Sequence, residues 1–140
     1  MHVRLGDYRN LATIYGRPDP DYYANAVKLI TERIGERPIW LFSDEPELAT
    51  QIVGQQIQIS RVVDSGESNR AIEHLNLLGM CQGVVCANSS FSWWGGFLSS
   101  KLVEDSVVVF PIPMFDSLEY KEPQDWIPAS WVRLERRTGI

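Results

Sequence analysis

Two hydrophobic periods alternate along the chain. Short, near-continuous apolar runs occupy residues 3–5, 39–42, 57–63, 83–87, 107–110 and 131–134, most of them β-branched or aromatic. Such runs predict strands covered on both faces, as in a parallel sheet. The segments between them follow a helical period. Asp19 stands as a cap, Pro20 as the first helical residue and Gly35 as the stop of one helix, with Tyr22 or Tyr23, Ala26, Val27, Ile30 and Ile34 along one stripe. A second helix starts after Asp44 and stops at Gly54. A third, within residues 68–81, places Ile72, Leu75 and Leu78 on one face. A fourth starts at Ser89-Ser90 and buries Trp93, Trp94, Phe97 and Leu98. Gly95-Gly96 inside it costs about 1 kcal/mol per glycine relative to alanine, which predicts another backbone element packed closely there. The alternation predicts an α/β fold: Rossmann-like and doubly wound, a mostly parallel sheet with helices on both faces. Residues 111–129, rich in Pro, Asp and aromatics, predict a long surface loop with a short helical turn before the last strand.

Composition narrows the classes. A chain of 140 residues with 44% apolar and 22% charged content reads as one soluble domain. The net charge of −5 argues against a sequence-independent grip on nucleic acid or an anionic membrane, though not against a local basic pocket. Cys81 and Cys86 match neither a C-x-x-C pair nor a zinc pattern and read as buried thiols in a reducing compartment. No apolar run approaches a membrane span, and "MHVRLGD" has no signal-peptide apolar core. The expected location is cytoplasmic, at most peripheral to the inner face of a membrane.

In an open parallel sheet, ligands bind beyond the carboxyl ends of the strands. The residues there are Gly6-Asp7-Tyr8, Ser43-Asp44-Glu45, Asp64-Ser65-Gly66 and Asn88-Ser89-Ser90. Loops are polar in general, so this pattern alone decides nothing. Arg4 adds to it. Strand alternation puts His2, Arg4 and Gly6 on one face and Val3 and Leu5 on the other. An arginine near a strand end needs an anion: Asp7 or Asp44 in a structural ion pair, or a ligand phosphate gripped by the planar guanidinium. Gly6 would let a ligand approach the backbone. Ser89-Ser90, at a strand-to-helix turn, can cap the helix while its free amides face an anion. His2 shares the face of Arg4 and can lie beside a ligand, whereas His74, on a helix face, reads as structural, and Trp93 and Trp94 read as core. H-E-x-x-H, Walker A, G-x-S-x-G and G-x-G-x-x-G motifs are absent from the sequence. "DPD" at 19–21 resembles a metal-binding D-x-D, but helix capping accounts for it.

Together these segments resemble glycosyltransferase family 11, the α-1,2-fucosyltransferases. "HVRLGDY" (2–8) is similar to the family's H-x-R-R-G-D-Y, and "ANSSFSWWGGFLS" (87–99) to its A-N-S-T/S-F-S-W-W-x-A-x-L. "LFSDE" (41–45), "LLGMC" (77–81) and "DWIPASW" (125–131) resemble further family elements, so the likeness spans nearly the whole chain. It implies transfer of L-fucose from GDP-β-L-fucose to a sugar hydroxyl of a glycan acceptor, with inversion, no metal and no other cofactor. Arg4 would neutralise the β-phosphate of the departing GDP, and Asp7 would order the arginine loop; these two are the implied catalytic residues. His2, Gly6, Asp44, Asn88, Ser89, Ser90 and Phe91 would join Arg4 in holding the nucleotide sugar. Two positions depart from the family: Leu5 replaces its second arginine, and His74 stands where many members carry aspartate. The family has a GT-B-like arrangement of two halves, and these motifs belong to its C-terminal, donor-binding half. Residues 1–140 then form a single Rossmann-like GDP-sugar-binding domain, with the N-terminal acceptor half, its pocket and its general base absent from this chain. A non-catalytic module that holds GDP-sugars, and a flavodoxin- or receiver-like regulatory domain with Asp44 as phosphoacceptor, are the competing readings. The receiver reading lacks the lysine it needs after the fifth strand, where "FPIPMF" stands.

Overall fold

The computed structural model describes residues 1–6, 11–63, 70–122 and 125–138. The elements run β1 (His2–Val3), α1 (Ala12–Tyr15), α2 (Pro20–Ile34), β2 (Trp40–Ser43), α3 (Pro46–Val53), β3 (Arg61–Val63), α4 (Ala71–Gly79), β4 (Gly83–Val85), α5 (Ser90–Leu102), β5 (Val107–Ile112) and β6 (Val132–Glu135). The architecture is the expected α/β, Rossmann-like one, and every strand pairing is parallel. Ladder hydrogen bonds divide the strands into two three-stranded sheets, β1-β2-β3 and β4-β5-β6.

Both sheets share their covering layers. Leu41, Val85 and Val109 point into one apolar cluster with Tyr22, Tyr23 and Ala26 of α2. Their chain neighbours Phe42, Val84 and Val108 point into the other, with Leu78 of α4. Side chains that alternate between two buried clusters require helices on both faces, which is why the strands read as continuous apolar runs.

Local signals set most element ends. The Asp19 side chain accepts hydrogen bonds from the Asp21 and Tyr22 amides, Pro20 opens α2, and Gly35, at φ +77°, closes it. Capping therefore accounts for the first aspartate of "DPD", and the second, Asp21, pairs with Arg137. β3 is shorter than its apolar run because Ile57 is buried in the turn after α3, whereas Arg61 and Val62 lie on an exposed edge. There the Arg61 guanidinium covers the Trp40 ring at 5.0 Å.

Two helix faces differ from expectation. On α4, Leu78 and Gly79 are buried while Ile72 is 74% exposed. On α5 the buried residues are Ser92, Gly95, Gly96 and Ser99, and Trp94 is 52% exposed. The small residues let α5 sit low on its neighbours. A Cβ on Gly96 would lie 2.7 Å from Val108 Cγ1 and 3.0 Å from Trp131, and one on Gly95 would strike the Leu78 side chain. What crowds the glycine pair is thus side chains of α4 and β5, not another backbone. Trp93 does pack inward, stacked on Phe97 at 5.2 Å and donating from Nε1 to the Trp126 carbonyl at 2.8 Å.

The four-residue α1 was not anticipated. The described part of the segment after β5 is turns and bends without the expected helical turn. Cys86 is buried as expected, but Cys81 is only half-buried, and both thiols are free. Burial raises the pKa of each, which makes them poor nucleophiles. Among the described residues, no helix is long and apolar enough to cross a membrane.

Candidate functional site

β1 pairs with β2 in the register His2 to Phe42 and Val3 to Ser43. The alternation holds: Val3 and Leu5 are core residues, while His2 and Arg4 line a cavity of about 190 Å³ with Phe42, Ser43, Asp44, Arg70, Ala71, His74 and Phe91. The cavity lies where the carboxyl ends of β1 and β2 meet the amino ends of α4 and α5, the expected place for a ligand. A larger apolar cavity, about 340 Å³, opens at the opposite ends of the strands around Met1, Trp40 and Gly83. It offers little to a polar ligand.

Asp44 organises the exit of β1. Its carboxylate accepts the Leu5 amide at 3.0 Å and the Gly6 amide at 2.8 Å, and it pairs with Arg4 Nε at 3.4 Å. Gly6 is needed for this clamp, since a Cβ there would lie 2.7 Å from Asp44 Oδ2. The close approach expected from a ligand at Gly6 is made by this carboxylate. Arg4 therefore has an internal counterion, one of the two partners open from sequence. Both side chains of the pair remain about a quarter exposed, at 27% and 21%. With Asp44 engaged by two amides and a guanidinium, it is poorly placed as a phosphoacceptor. Asp7, the other candidate partner, lies outside the described residues.

The third wall is the start of α5. Ser89 caps the helix by accepting the Ser92 amide at 3.1 Å. The amides of Ser90 and Phe91 have no partner among the described residues, as the first turn of a helix requires, and they concentrate positive potential there. Asn88 is fully buried and turns away: its Nδ2 donates to the carbonyls of Tyr15 at 2.8 Å and Met114 at 3.0 Å. It holds two loops in place beneath the cap.

His2 is buried against Phe91, ring centroids 5.0 Å apart, with Nδ1 2.5 Å from Ser92 Oγ. Burial is the main reason its pKa falls to about 3; Asp44 opposes the drop, and the terminal amine, Arg4 and His74 add to it. The ring is neutral at physiological pH. As pH falls below 6.5 the unfolded chain binds a proton that the folded chain refuses until about pH 3. His2 thus removes up to about 1.4 kcal/mol of stability per pH unit across that window and has no effect above it. Denaturant titrations of the chain and of His2→Gln should therefore diverge on acidification from pH 7, with the variant losing less; parallel curves would refute neutral burial.

Arg70 and His74 were not identified from sequence as cavity residues; His74 was read as structural. Arg70 is at the cap of α4 and makes a long, exposed contact with Glu73 at 3.9 Å. His74 packs its ring edge against Phe42. The signal was available: residues 70, 74 and 78 recur every four positions, so the face that sends Leu78 into the core carries His74 and Arg70 to the cavity.

The chain matches Glycosyl transferase family 11 over residues 1–135. It is 32% identical over 118 residues to the O-antigen biosynthesis glycosyltransferase WbnK of Escherichia coli, covering 82% of this chain and 38% of that protein. It is 30% identical over 139 residues to an alpha-1,2-colitosyltransferase of Escherichia coli, covering 97% of this chain and 47% of that protein. The chain thus spans less than half the length of these relatives. No solved structure is a significant match.

Proposed function

Because this chain belongs to glycosyl transferase family 11, we propose that it is the donor-binding domain of a fucosyltransferase. It holds GDP-β-L-fucose and, with an acceptor-binding half, transfers L-fucose with inversion to a glycan hydroxyl without a metal. One observation carries this reading: two arginines, Arg4 and Arg70, line one cavity with His2 at the carboxyl ends of β1 and β2. The chemistry fits, because a departing diphosphate gathers negative charge, and fixed cations and amides stabilise it without reorganising.

Arg4 meets the β-phosphate, held in aim by Asp44, and Asp7, which lies outside the described residues, takes the role the family resemblance gives it, ordering the arginine loop. Arg70 provides the second positive charge that Leu5, buried in the core, does not. The amides of Ser90 and Phe91, presented by the Ser89 cap, complete the phosphate cradle. The relative named for colitose transfer makes that sugar the alternative to fucose on the donor.

The second reading is a non-catalytic module that holds a GDP-sugar. A transfer assay on this domain joined to an acceptor-binding half, with labelled GDP-fucose, GDP-colitose and a galactoside, separates the two. Product formation supports the enzyme, and binding without product supports the module. Failure to bind any GDP compound refutes both.

A further inference from the structure

We infer that Ser92 is a positioning residue that locks His2 in its Nε2–H tautomer, so that a neutral N–H donor faces the cavity. Ser92 is completely buried, and a buried hydroxyl left without an acceptor is costly. Its Oγ has two neighbours among the described residues, the Ala87 amide at 2.9 Å and His2 Nδ1 at 2.5 Å. The amide is a donor and takes a lone pair of Oγ. The hydroxyl proton then goes to Nδ1, which must be unprotonated. In a neutral imidazole the remaining proton is on Nε2.

The placement gives this proton a use. Nε2 lies on the ring edge away from Ser92, the ring lines the cavity beside Arg4, and Nε2 has no partner among the described residues. The site gains a donor for an anionic oxygen without burying a further cation next to Arg4. Resting on the donor-site reading above, the acceptor is a phosphate oxygen of the nucleoside diphosphate. The third serine of "SSFSWW", Ser92, thereby joins the ligand site through His2, whereas the first, Ser89, caps the helix.

Proton–nitrogen correlation spectra of histidine-labelled protein test the inference without any ligand, since the chain has two histidines, His2 and His74. The expected result is the Nε2–H pattern for His2 in the unliganded chain and a mixed pattern in Ser92→Ala. An Nδ1–H pattern in the parent chain, or an unchanged pattern in a folded Ser92→Ala, overturns the inference. A second pair of variants works even if Ser92→Ala fails to fold. The amide nitrogen of glutamine reaches the position of Nε2, and that of asparagine the position of Nδ1. His2→Gln should keep GDP affinity within about threefold, and His2→Asn should lose about tenfold, the worth of one hydrogen bond. The reverse order overturns the inference. If GDP does not bind the parent chain at all, the donor-site reading fails, and the tautomer pattern alone decides the role of Ser92.

Discussion

Replacing Arg4 with alanine is expected to weaken GDP binding by about 30- to 150-fold while leaving the melting temperature nearly unchanged. Truncating one side of a desolvated charge pair costs roughly 2–5 kcal/mol, and the exposure of Arg4 places it at about 2–3. The effect on folding is smaller because the Arg4–Asp44 pair is long, at 3.4 Å, and partly open to water. Pairs of that kind contribute about 0–1 kcal/mol. Asp44 keeps its two amide partners in the variant, so the β1 exit stays in place. Calorimetry and thermal melting on one preparation decide the matter. If melting collapses while GDP affinity per folded molecule persists, Arg4 is a structural ion-pair partner and not a phosphate ligand.

The opposite pattern is expected at Arg136. Its side chain is completely buried and pairs with Asp116 at 2.7 Å. It also donates to the carbonyls of Pro113 at 2.7 Å, Tyr15 at 2.8 Å and Met114 at 3.3 Å. Two of those carbonyls, Tyr15 and Met114, are also held by Asn88. One guanidinium thus joins the end of α1, the loop after β5 and the end of β6, directly below the Ser89 cap. Arg136→Met leaves the Asp116 carboxylate and several carbonyls without this donor. Breaking such a pair costs about 3–5 kcal/mol, a large share of the roughly 5–15 kcal/mol that stabilises a domain. Urea denaturation followed by circular dichroism should show it as a lowered midpoint at unchanged slope. A loss below about 1 kcal/mol would mean that the network is open to water and contributes as surface pairs do.

The two residues differ in how visible they are in the sequence. Arg4 can be found because strand alternation separates it from Val3 and Leu5, and a charge on one face of a short apolar run needs a partner. Arg136 cannot: its contacts with Tyr15, Pro113 and Asp116 depend on where two distant segments, the end of α1 and the loop after β5, come to lie, and no local pattern encodes that. Much of the fold is legible for the same reason as Arg4. Asp19, Pro20 and Gly35 define α2 through backbone chemistry within one turn of each end, and the β-branched runs locate the strands. Helix faces are less legible, because apolar content does not mark them where side-chain size decides the packing. Trp94 is apolar yet exposed, because the close seat of α5 is set by Ser92, Gly95, Gly96 and Ser99, and Ile72 of α4 is exposed as well. Within the site, the motif segments were legible, but the clamp formed by Asp44 was not. Its polar position after β2 was evident, whereas its reach across to the Leu5 and Gly6 amides depends on the β1–β2 register.

The most direct test of the donor-site account is an isothermal titration of the 140-residue chain with GDP, GDP-fucose and ADP. The account predicts saturable binding of GDP and GDP-fucose at one site, weaker binding of ADP, and loss of the GDP signal in Arg4→Ala. Absence of GDP binding at millimolar ligand would contradict it.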